Sequence, residues 1–420
     1  MTATAAAAPV TPNSPRARHI FFSLLGTVAV TLMGLGIVAP LMPVFAKDLG
    51  ASGLWLGLML AAFSISRGIV QPIVGVMSDR YGRKRFIVTG LAIYTAMSFV
   101  YIAARSPYDL TMMRLVHGAG SAMVIPIITA YLADITPPRR EGEYMAYLNM
   151  AIFGGLGAGP LVGGILFDSV GIESAFVLMG GLSAVALGLA VWLLPPGRGG
   201  TESEEVQALA HLRETLRSSR VLGILSFRLF TAIAIGPTYV FLPILMKDPP
   251  LASSAVAVGL VITIRVMVNA VVQLPFGFLA DRTNRVFLST LGTVGTGAGV
   301  LLIPQADSMG ALIGIVCFMG VFEGLTWASV QAMSVEEGRH YGQGSVQGLF
   351  QMAMSVGLLI GSFFGGILMD AAGIDWVFVI AGAVIGAGAF LSAAMFTVGR
   401  KPRMVVEVEP HHARPDETHR

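Results

Sequence analysis

Charged residues are scarce in this chain. Only 12% of its 420 residues are Asp, Glu, Lys or Arg, whereas a soluble domain carries about 25%. The single cysteine, Cys317, excludes a disulfide within the chain and a cysteine cluster for zinc or iron–sulfur binding. A phosphate-cradling GxxxxGK[ST] segment, a nucleophile elbow and a spaced catalytic triad are also missing. These absences exclude an internal ATPase and leave enzyme chemistry without support. We expect no metal, no cofactor and no nucleic-acid partner.

Apolar residues make up 55% of the chain and occur in long blocks. A bilayer core takes about 20 apolar residues as a helix, and twelve runs of that size fit within residues 20–195 and 221–398. The sequence therefore predicts an all-α polytopic membrane protein with two six-helix bundles. The polar segments 1–19 and 399–420 are expected to be tails, and 196–220 a linker between the bundles.

Basic residues are distributed unevenly along the chain. If the N-terminus is cytoplasmic, 20 of the 27 Lys and Arg residues fall in inside segments and only Lys47, Arg105 and Lys247 fall outside. Cytoplasmic segments of membrane proteins carry an excess of Lys and Arg. We therefore predict that both termini and the linker are cytoplasmic.

The two blocks repeat each other with a shift of 202 residues. The segment GPLVGGILFD at 159–168 matches GSFFGGILMD at 361–370, and GVMSDRYGRKRF at 75–86 matches GFLADRTNRVF at 277–287. Matches of charged residues and glycines in register at both ends of a block indicate an internal duplication. Two parallel six-span halves, with a solute site between them near the bilayer midplane, are typical of transporters that rock between two conformations.

The loop at 75–86 contains glycines and an aspartate that membrane topology alone does not explain. Simple positive-inside anchoring explains its basic run, but not its glycines and aspartate. A charged side chain at a helix end can pair across the two halves, or lie at a helix N-terminus where the dipole favours an anion. We interpret the loop and its weaker copy as a conformational latch, formed in the outward-facing state and broken in the inward-facing state. Its residues are Gly75, Asp79, Arg80, Gly82, Arg83, Lys84, Gly277, Asp281 and Arg282.

Four motifs carry a resemblance to a known family. They are GVMSDRYGRKR after the second run, MGLGIVAPLMP in the first, RLVHGAG in the fourth and GGLGAGPLVGG in the fifth. Over nearly its whole length the chain resembles the major facilitator superfamily, and within it the twelve-span drug/proton antiporter-like group. The resemblance implies the major facilitator fold, a latch at 75–84 and a proton-relay role for Arg114. The chain departs from the group's pattern at His117, where a glutamine is usual, and at Ala146, where the antiporter motif has its first glycine.

Glycines recur every four residues in the fifth and eleventh runs. This spacing places them on one helical face and permits close backbone contact with a partner helix, while Pro160 bends its helix. We interpret these faces as flexible seams that seal a leak path, with ordinary helix packing as the alternative. The seam residues are Gly155, Gly159, Pro160, Gly163, Gly164, Gly361 and Gly365.

Ionisable residues deep within the runs mark the candidate solute site. An ionisable side chain in hydrocarbon costs at least about 2.5–3.5 kcal/mol and therefore usually faces a cavity. Glu323 is the one acidic residue deep within a run, against four arginines. We expect it to couple protons or contact solute, with a structural ion pair as the alternative. The candidate residues are Glu323, Arg67, Arg114, His117, Arg228, Arg265 and Trp327. His117 has either a relay role or only a hydrogen bond.

The excess of arginine favours an anionic or zwitterionic solute. The leading hypothesis is a proton-coupled secondary transporter of a small molecule, resembling an efflux antiporter. An importer or facilitator of an organic anion or iron-related solute stays open, as does a transporter-fold receptor or scaffold. We expect a monomer in a bacterial inner membrane, or in an internal membrane derived from it.

Overall fold

Twelve helical spans form the part of the chain that the computed structural model describes, residues 15–136, 140–195, 215–341 and 343–398. Each is long and apolar enough to cross a bilayer, which confirms the predicted all-α fold. The expected tails, apart from residues 15–19, and most of the linker lie outside the described residues. Numbered in chain order, the spans have these helical bounds: span 1, Pro15–Val38 and Leu41–Asp48; span 2, Gly53–Tyr81; span 3, Arg83–Val100 with the 3-10 turn Tyr101–Ala103; span 4, Pro107–Ala122 and Ile125–Ile135; span 5, Glu141–Ser169; span 6, Ile172–Leu193; span 7, Ser219–Val240 and Leu242–Lys247; span 8, Ala255–Arg282; span 9, Arg285–Leu302 with Ile303–Gln305; span 10, Met309–Tyr341; span 11, Gln343–Ala372; span 12, Ile374–Val398.

Three spans are broken into two helices. The breaks in spans 1, 4 and 7 lie at or just before Pro40, Pro126 and Pro243. Proline lacks a backbone N–H and its ring clashes with the preceding turn, so it is favoured at the start of a helix and bends or breaks a helix that it interrupts. The breaks in spans 1 and 7 occupy equivalent places in the two blocks, as expected from the duplication.

The two blocks fold into halves with the same internal packing. Span 1 packs on spans 5 and 6 in the first half, as span 7 packs on spans 11 and 12 in the second. Spans 2 and 4 pair in the same way as spans 8 and 10. The halves meet along two seams, one between spans 2 and 11 and the other between spans 5 and 8.

The seams are tight at one end of the bundle and open at the other. We call the end that carries the 75–86 loop the loop end, and the opposite end the cap end. At the cap end, a Cβ on Gly57 would strike the carbonyl oxygen of Ser362, and one on Gly259 would strike that of Pro160. Towards the loop end, a Cβ on Gly75 or Gly277 would meet no atom within 4 Å. The halves are therefore closed at the cap end and parted at the loop end.

Candidate functional site

Glu323 forms an ion pair with Arg265 between spans 10 and 8. Its Oε2 lies 3.1 Å from Nη2 of Arg265, and the two residues are only 8% and 4% exposed. Gly320 and Gly324 flank the carboxylate on span 10, and a Cβ on either would press against span 8. These glycines bring the helices close enough for the carboxylate to reach the guanidinium. The ring of Tyr239 lies 5.8 Å from the guanidinium carbon of Arg265.

Arg228 of span 7 lies in an aromatic cage rather than beside a carboxylate. Its guanidinium carbon is 3.9 Å from the ring centroid of Trp327 and 4.6 Å from that of Phe350. Its Nη2 also donates to Sδ of Met354 at 2.8 Å. Planar guanidinium groups stack on aromatic faces in this way when a paired anion is missing.

The cage reaches across the interface between the halves. The ring of Trp327, on span 10, meets the ring of Phe153, on span 5, edge-on at 5.9 Å. Arg228 is also within electrostatic range of Arg67 on span 2 and of Glu323. The basic side chains of the two halves therefore lie in one region and act on one another.

A second cluster surrounds His117 in the first half. Its Nδ1 lies 3.0 Å from the hydroxyl oxygen of Tyr101, and the ring of Tyr94 meets the imidazole edge-on at 4.2 Å. Arg114, one turn earlier on span 4, has its guanidinium carbon 5.7 Å from the ring centroids of both Phe63 and Tyr101. All five residues are buried. His117 is therefore hydrogen-bonded through Nδ1, whereas its other ring nitrogen, Nε2, is buried without a hydrogen-bond partner.

Arg67 of span 2 lies between the two clusters. It is half-buried and interacts electrostatically with Tyr94 in its own half and with Arg228 in the other. Span 2 also forms the seam with span 11, so Arg67 belongs to a helix that contacts the other half.

Unpartnered donors are concentrated in this region. Buried polar atoms in folded proteins nearly always have a hydrogen-bond partner, and leaving one unpaired costs about 1–3 kcal/mol. Among the described residues, the following buried nitrogens have none: Nε of Arg67, Arg114, Arg228 and Arg265, and Nε2 of His117. Within the same described part, only Arg265 of the four arginines has a carboxylate within ion-pair distance. The site therefore carries excess positive charge and excess donors.

Two basic residues of the 75–86 loop contact other residues of the first half. Nζ of Lys84 donates to the carbonyl oxygen of Val191 at 2.7 Å, and the guanidinium carbon of Arg80 lies 5.5 Å from the ring centroid of Tyr81. Gly82 has φ +92°, a conformation that favours glycine. The side chain of Asp79 lies outside the described part of the chain.

The second copy of the loop is built differently. Where the first copy has Gly82, Asn284 has φ −63° and its side chain accepts from the backbone nitrogens of Val286 and Phe287, which caps span 9. Arg285 pairs with Asp281 at 3.1 Å and with Glu336 at 2.8 Å, both within the second half. Arg282 is exposed, and Gly277 has open space around it. Lys84, Asp281 and Arg285 thus make the contacts given above within their own halves in this conformation.

The glycine faces of spans 5 and 11 point mainly into their own halves. A Cβ on Gly155, Gly159 or Gly163 would strike span 1, and one on Gly361 would strike span 7. A Cβ on Gly365 would approach Phe241 and Val377, which are also in the second half. The exceptions are Gly164 and the backbone of Pro160, which touch span 8 across the seam. Most of the predicted seam residues thus contact a helix of their own half in this conformation, whereas Gly164 and Gly366, each the next residue along its helix after a predicted seam glycine, contact the other half.

Sequence reasoning missed the aromatic and sulfur side chains that surround the arginines. Tyr94, Tyr101, Tyr239, Phe350 and Met354 were not singled out. Tyrosine is rare in this chain, with nine residues, and a tyrosine hydroxyl in hydrocarbon needs a partner. Tyrosines deep within a span, such as Tyr94, were therefore a usable signal.

Known proteins match this chain over most of its length. The family model described as Major Facilitator Superfamily matches residues 24–252 and 230–417. Multidrug resistance protein 2 of Bacillus subtilis is 29% identical over 381 residues, which cover 88% of this chain and 94% of that protein. The structure of a bacterial homologue of the human lysosomal transporter Spinster, described as inward-facing and unoccupied, superposes with a TM-score of 0.77 at 16% identity, covering 93% of this chain and 100% of the other. The human organic anion transporter MFSD10 superposes with a TM-score of 0.66 at 18% identity, covering 90% of this chain and 100% of the other.

Proposed function

Because this chain belongs to the Major Facilitator Superfamily, and is a multi-pass membrane transporter rather than an enzyme, we propose that it exports a small amphipathic solute that bears an anionic group, in exchange for protons. The observation that carries this proposal is the charge of the site. Glu323 pairs with Arg265, and the other three arginines of the site have no carboxylate partner among the described residues.

The arginines and their aromatic neighbours are suited to a flat, negatively charged group. A guanidinium presents several N–H donors in a rigid fork that matches a carboxylate or phosphate. The cage around Arg228 adds apolar surface beside those donors. An anionic or zwitterionic solute with an aromatic body would satisfy both features, whereas a lipophilic cation would be repelled.

Glu323 is the proposed proton carrier. When ionised it pairs with Arg265, and when protonated it releases that arginine. A cationic group on a zwitterionic solute would compete with the proton for the carboxylate, so that the solute and the proton bind alternately, which is antiport. The multidrug resistance protein among the relatives supports this direction by its name.

Import with protons is the second candidate, and the same ion pair favours it for a purely anionic solute. Such a solute would bind Arg265 best when Glu323 is protonated, so the solute and the proton would travel together. The sign of the driving pH gradient therefore distinguishes the two functions.

We also propose the orientation from the distribution of basic residues. Both termini and the loop end face the cytoplasm, and the host membrane is a bacterial inner membrane. The conformation closed at the cap end is then inward-facing. The protein is proposed to act as a monomer.

The experiment is uptake into proteoliposomes from a panel of anionic, zwitterionic and cationic aromatic dyes, under pH gradients of both signs. We expect zwitterionic dyes to be driven in the direction opposite to proton flow, and Glu323→Gln to abolish the gradient dependence; purely anionic dyes driven in the same direction as protons would support import. Glu337→Gln is the matched control, because Glu337 is also buried on span 10 and paired, with Arg220 at 3.3 Å. Exclusive transport of cations, or gradient-driven transport that survives Glu323→Gln, would contradict the proposal.

A further inference from the structure

Two aspartates join the halves at the cap end. Asp168, at the end of span 5, accepts hydrogen bonds from the backbone nitrogens of Ala255 at 3.0 Å and Val256 at 2.8 Å. These two amides begin span 8 in the other half. Both carboxylate oxygens of Asp168 are therefore used across the seam.

The second aspartate repeats this contact in the other direction. Asp370, at the end of span 11, accepts from the backbone nitrogens of Gly53 at 2.6 Å and Leu54 at 2.8 Å. These amides begin span 2 in the first half. Asp168 and Asp370 are related by the same 202-residue shift that relates the two halves, so the two contacts form a symmetric pair.

Glycines one turn before each aspartate allow the approach. A Cβ on Gly164 would strike the carbonyl oxygen of Ala255, and one on Gly366 would strike that of Gly53. Both copies of the contact therefore have the same three parts: an aspartate, a glycine that permits close approach, and a helix N-terminus whose amides bind the carboxylate.

The chemistry of the contact is strong but reversible. The first amides of a helix have no partner within the helix, and the helix dipole makes that end positive. A carboxylate that accepts from two such amides satisfies both and gains from the dipole. Asp168 and Asp370 are nevertheless exposed, so water can replace them when the halves part.

We propose that the hydrogen bonds of Asp168 and Asp370 to the helix starts of the opposite halves form a paired carboxylate catch. The catch stabilises the closed cap end while the loop end is open, and its hydrogen bonds break when the transporter changes conformation. The catch rests on alternating access and not on the identity of the solute. The catch is tested by a distance between the halves and the proposed function by solute transport, so the failure of one can be distinguished from the failure of the other.

The two helix starts bound by the catch differ in whether they also have a side-chain cap of their own. At span 8, Ser254 also caps the helix by accepting from the backbone nitrogen of Ala257. At span 2, the equivalent Ser52 makes no such side-chain bond. Loss of Asp370 therefore leaves its helix start with no side-chain cap, and we expect it to have the larger effect.

The catch is tested by pulsed electron paramagnetic resonance on the full chain in lipid nanodiscs. Cys317→Ser removes the natural cysteine, and Val170→Cys and Ala372→Cys provide spin-label sites. Both label sites are exposed, and they lie at the cap end of opposite halves. Asp168→Asn and Asp370→Asn should each raise the ratio of long to short distances roughly two- to fivefold, because each removes the negative charge at the helix start and one of the two acceptor oxygens. The effect should be greater for Asp370→Asn.

Matched controls come from the same end of the bundle. Glu173 and Asp375 are exposed acids in the first turns of spans 6 and 12, also related by 202 residues. Glu173→Gln and Asp375→Asn should leave the distance ratio unchanged. If an asparagine variant does not purify as a monodisperse protein, Asp→Ser at the same position, which is too short to reach both amides, should shift the ratio in the same direction. An unchanged ratio in the double variant, or an equal shift in the controls, overturns the catch.

Discussion

Four buried or half-buried arginine side chains dominate the proposed solute site of this transporter. The Arg228 guanidinium lies against the rings of Trp327 and Phe350, and its Nη2 donates a hydrogen bond to the sulfur of Met354. A lysine would keep the charge but would lose the planar stacking and the fork of donors. The cage therefore depends on the shape of the guanidinium as well as on its charge.

Trp327→Leu tests the cage. The change removes the ring that lies 3.9 Å from the Arg228 guanidinium, and a desolvated cation–π contact is worth about 2 kcal/mol. We expect the KM for a transported anionic dye to rise up to about thirtyfold, measured as uptake by proteoliposomes. Trp192→Leu is the control, because Trp192 is 82% exposed. Equal KM values for the two variants would show that the cage does not contact solute.

The Glu323–Arg265 pair predicts a rescue. Arg265→Ala leaves the carboxylate buried without its partner, and breaking a buried ion pair costs about 3–5 kcal/mol. We expect a lower melting temperature in detergent for the single variant, and recovery of most of that loss in the double variant Arg265→Ala/Glu323→Gln. Transport should stay impaired in both the single and the double variant, because both lack Arg265 and the double variant also lacks the proposed proton carrier. A double variant as unstable as the single one would contradict the pairing.

Glycine positions decide how closely the spans approach at the seams. Gly57 on span 2 has no room for a Cβ beside the Ser362 carbonyl, whereas Gly68 on the same helix would place a Cβ 3.7 Å from Ser355, an ordinary contact. The cap end of this seam is thus packed backbone to backbone, and the middle is looser.

Gly57→Ala should act as a wedge at the cap end. Overpacking of this kind costs about 1–3 kcal/mol, and the cost falls on the cap-closed conformation alone. We expect the spin-label pair at Val170→Cys and Ala372→Cys to show more long distances, whereas Gly68→Ala should leave the distribution unchanged. A wild-type distribution for Gly57→Ala would contradict the seam geometry.

The sequence predicted where the spans lie, but not which side of each span packs on which neighbouring helix. Length and apolar composition located all twelve spans, and the duplication assigned them to halves. Lipid and partner helix are equally apolar, so a membrane helix lacks the periodic pattern that marks the buried face of a soluble helix. For this reason the sequence could not say which of four arginines pairs with Glu323, or that the face of Gly155, Gly159 and Gly163 packs on span 1.

The whole molecule adds information that one sequence cannot contain. Both conformations of an alternating-access transporter have the same sequence, so the closed cap end and the parted loop end are visible only in the structure. The loop motif at 75–86 predicted a latch, and its Lys84 is hydrogen-bonded within the first half in this conformation. The cross-half contact of carboxylate with helix start, which was considered for Asp79, occurs at the opposite end, at Asp168 and Asp370.

The central claim concerns the whole transport cycle: Glu323 carries the proton that exchanges for an anion-bearing solute. Proteoliposomes with a trapped pH-sensitive dye measure this directly, because addition of the transported solute should drive protons in the opposite direction. We predict that the wild-type protein and Glu337→Gln give a solute-dependent pH change, and that Glu323→Gln transports or binds solute with none. A solute-dependent proton flux of wild-type size in Glu323→Gln would contradict the account.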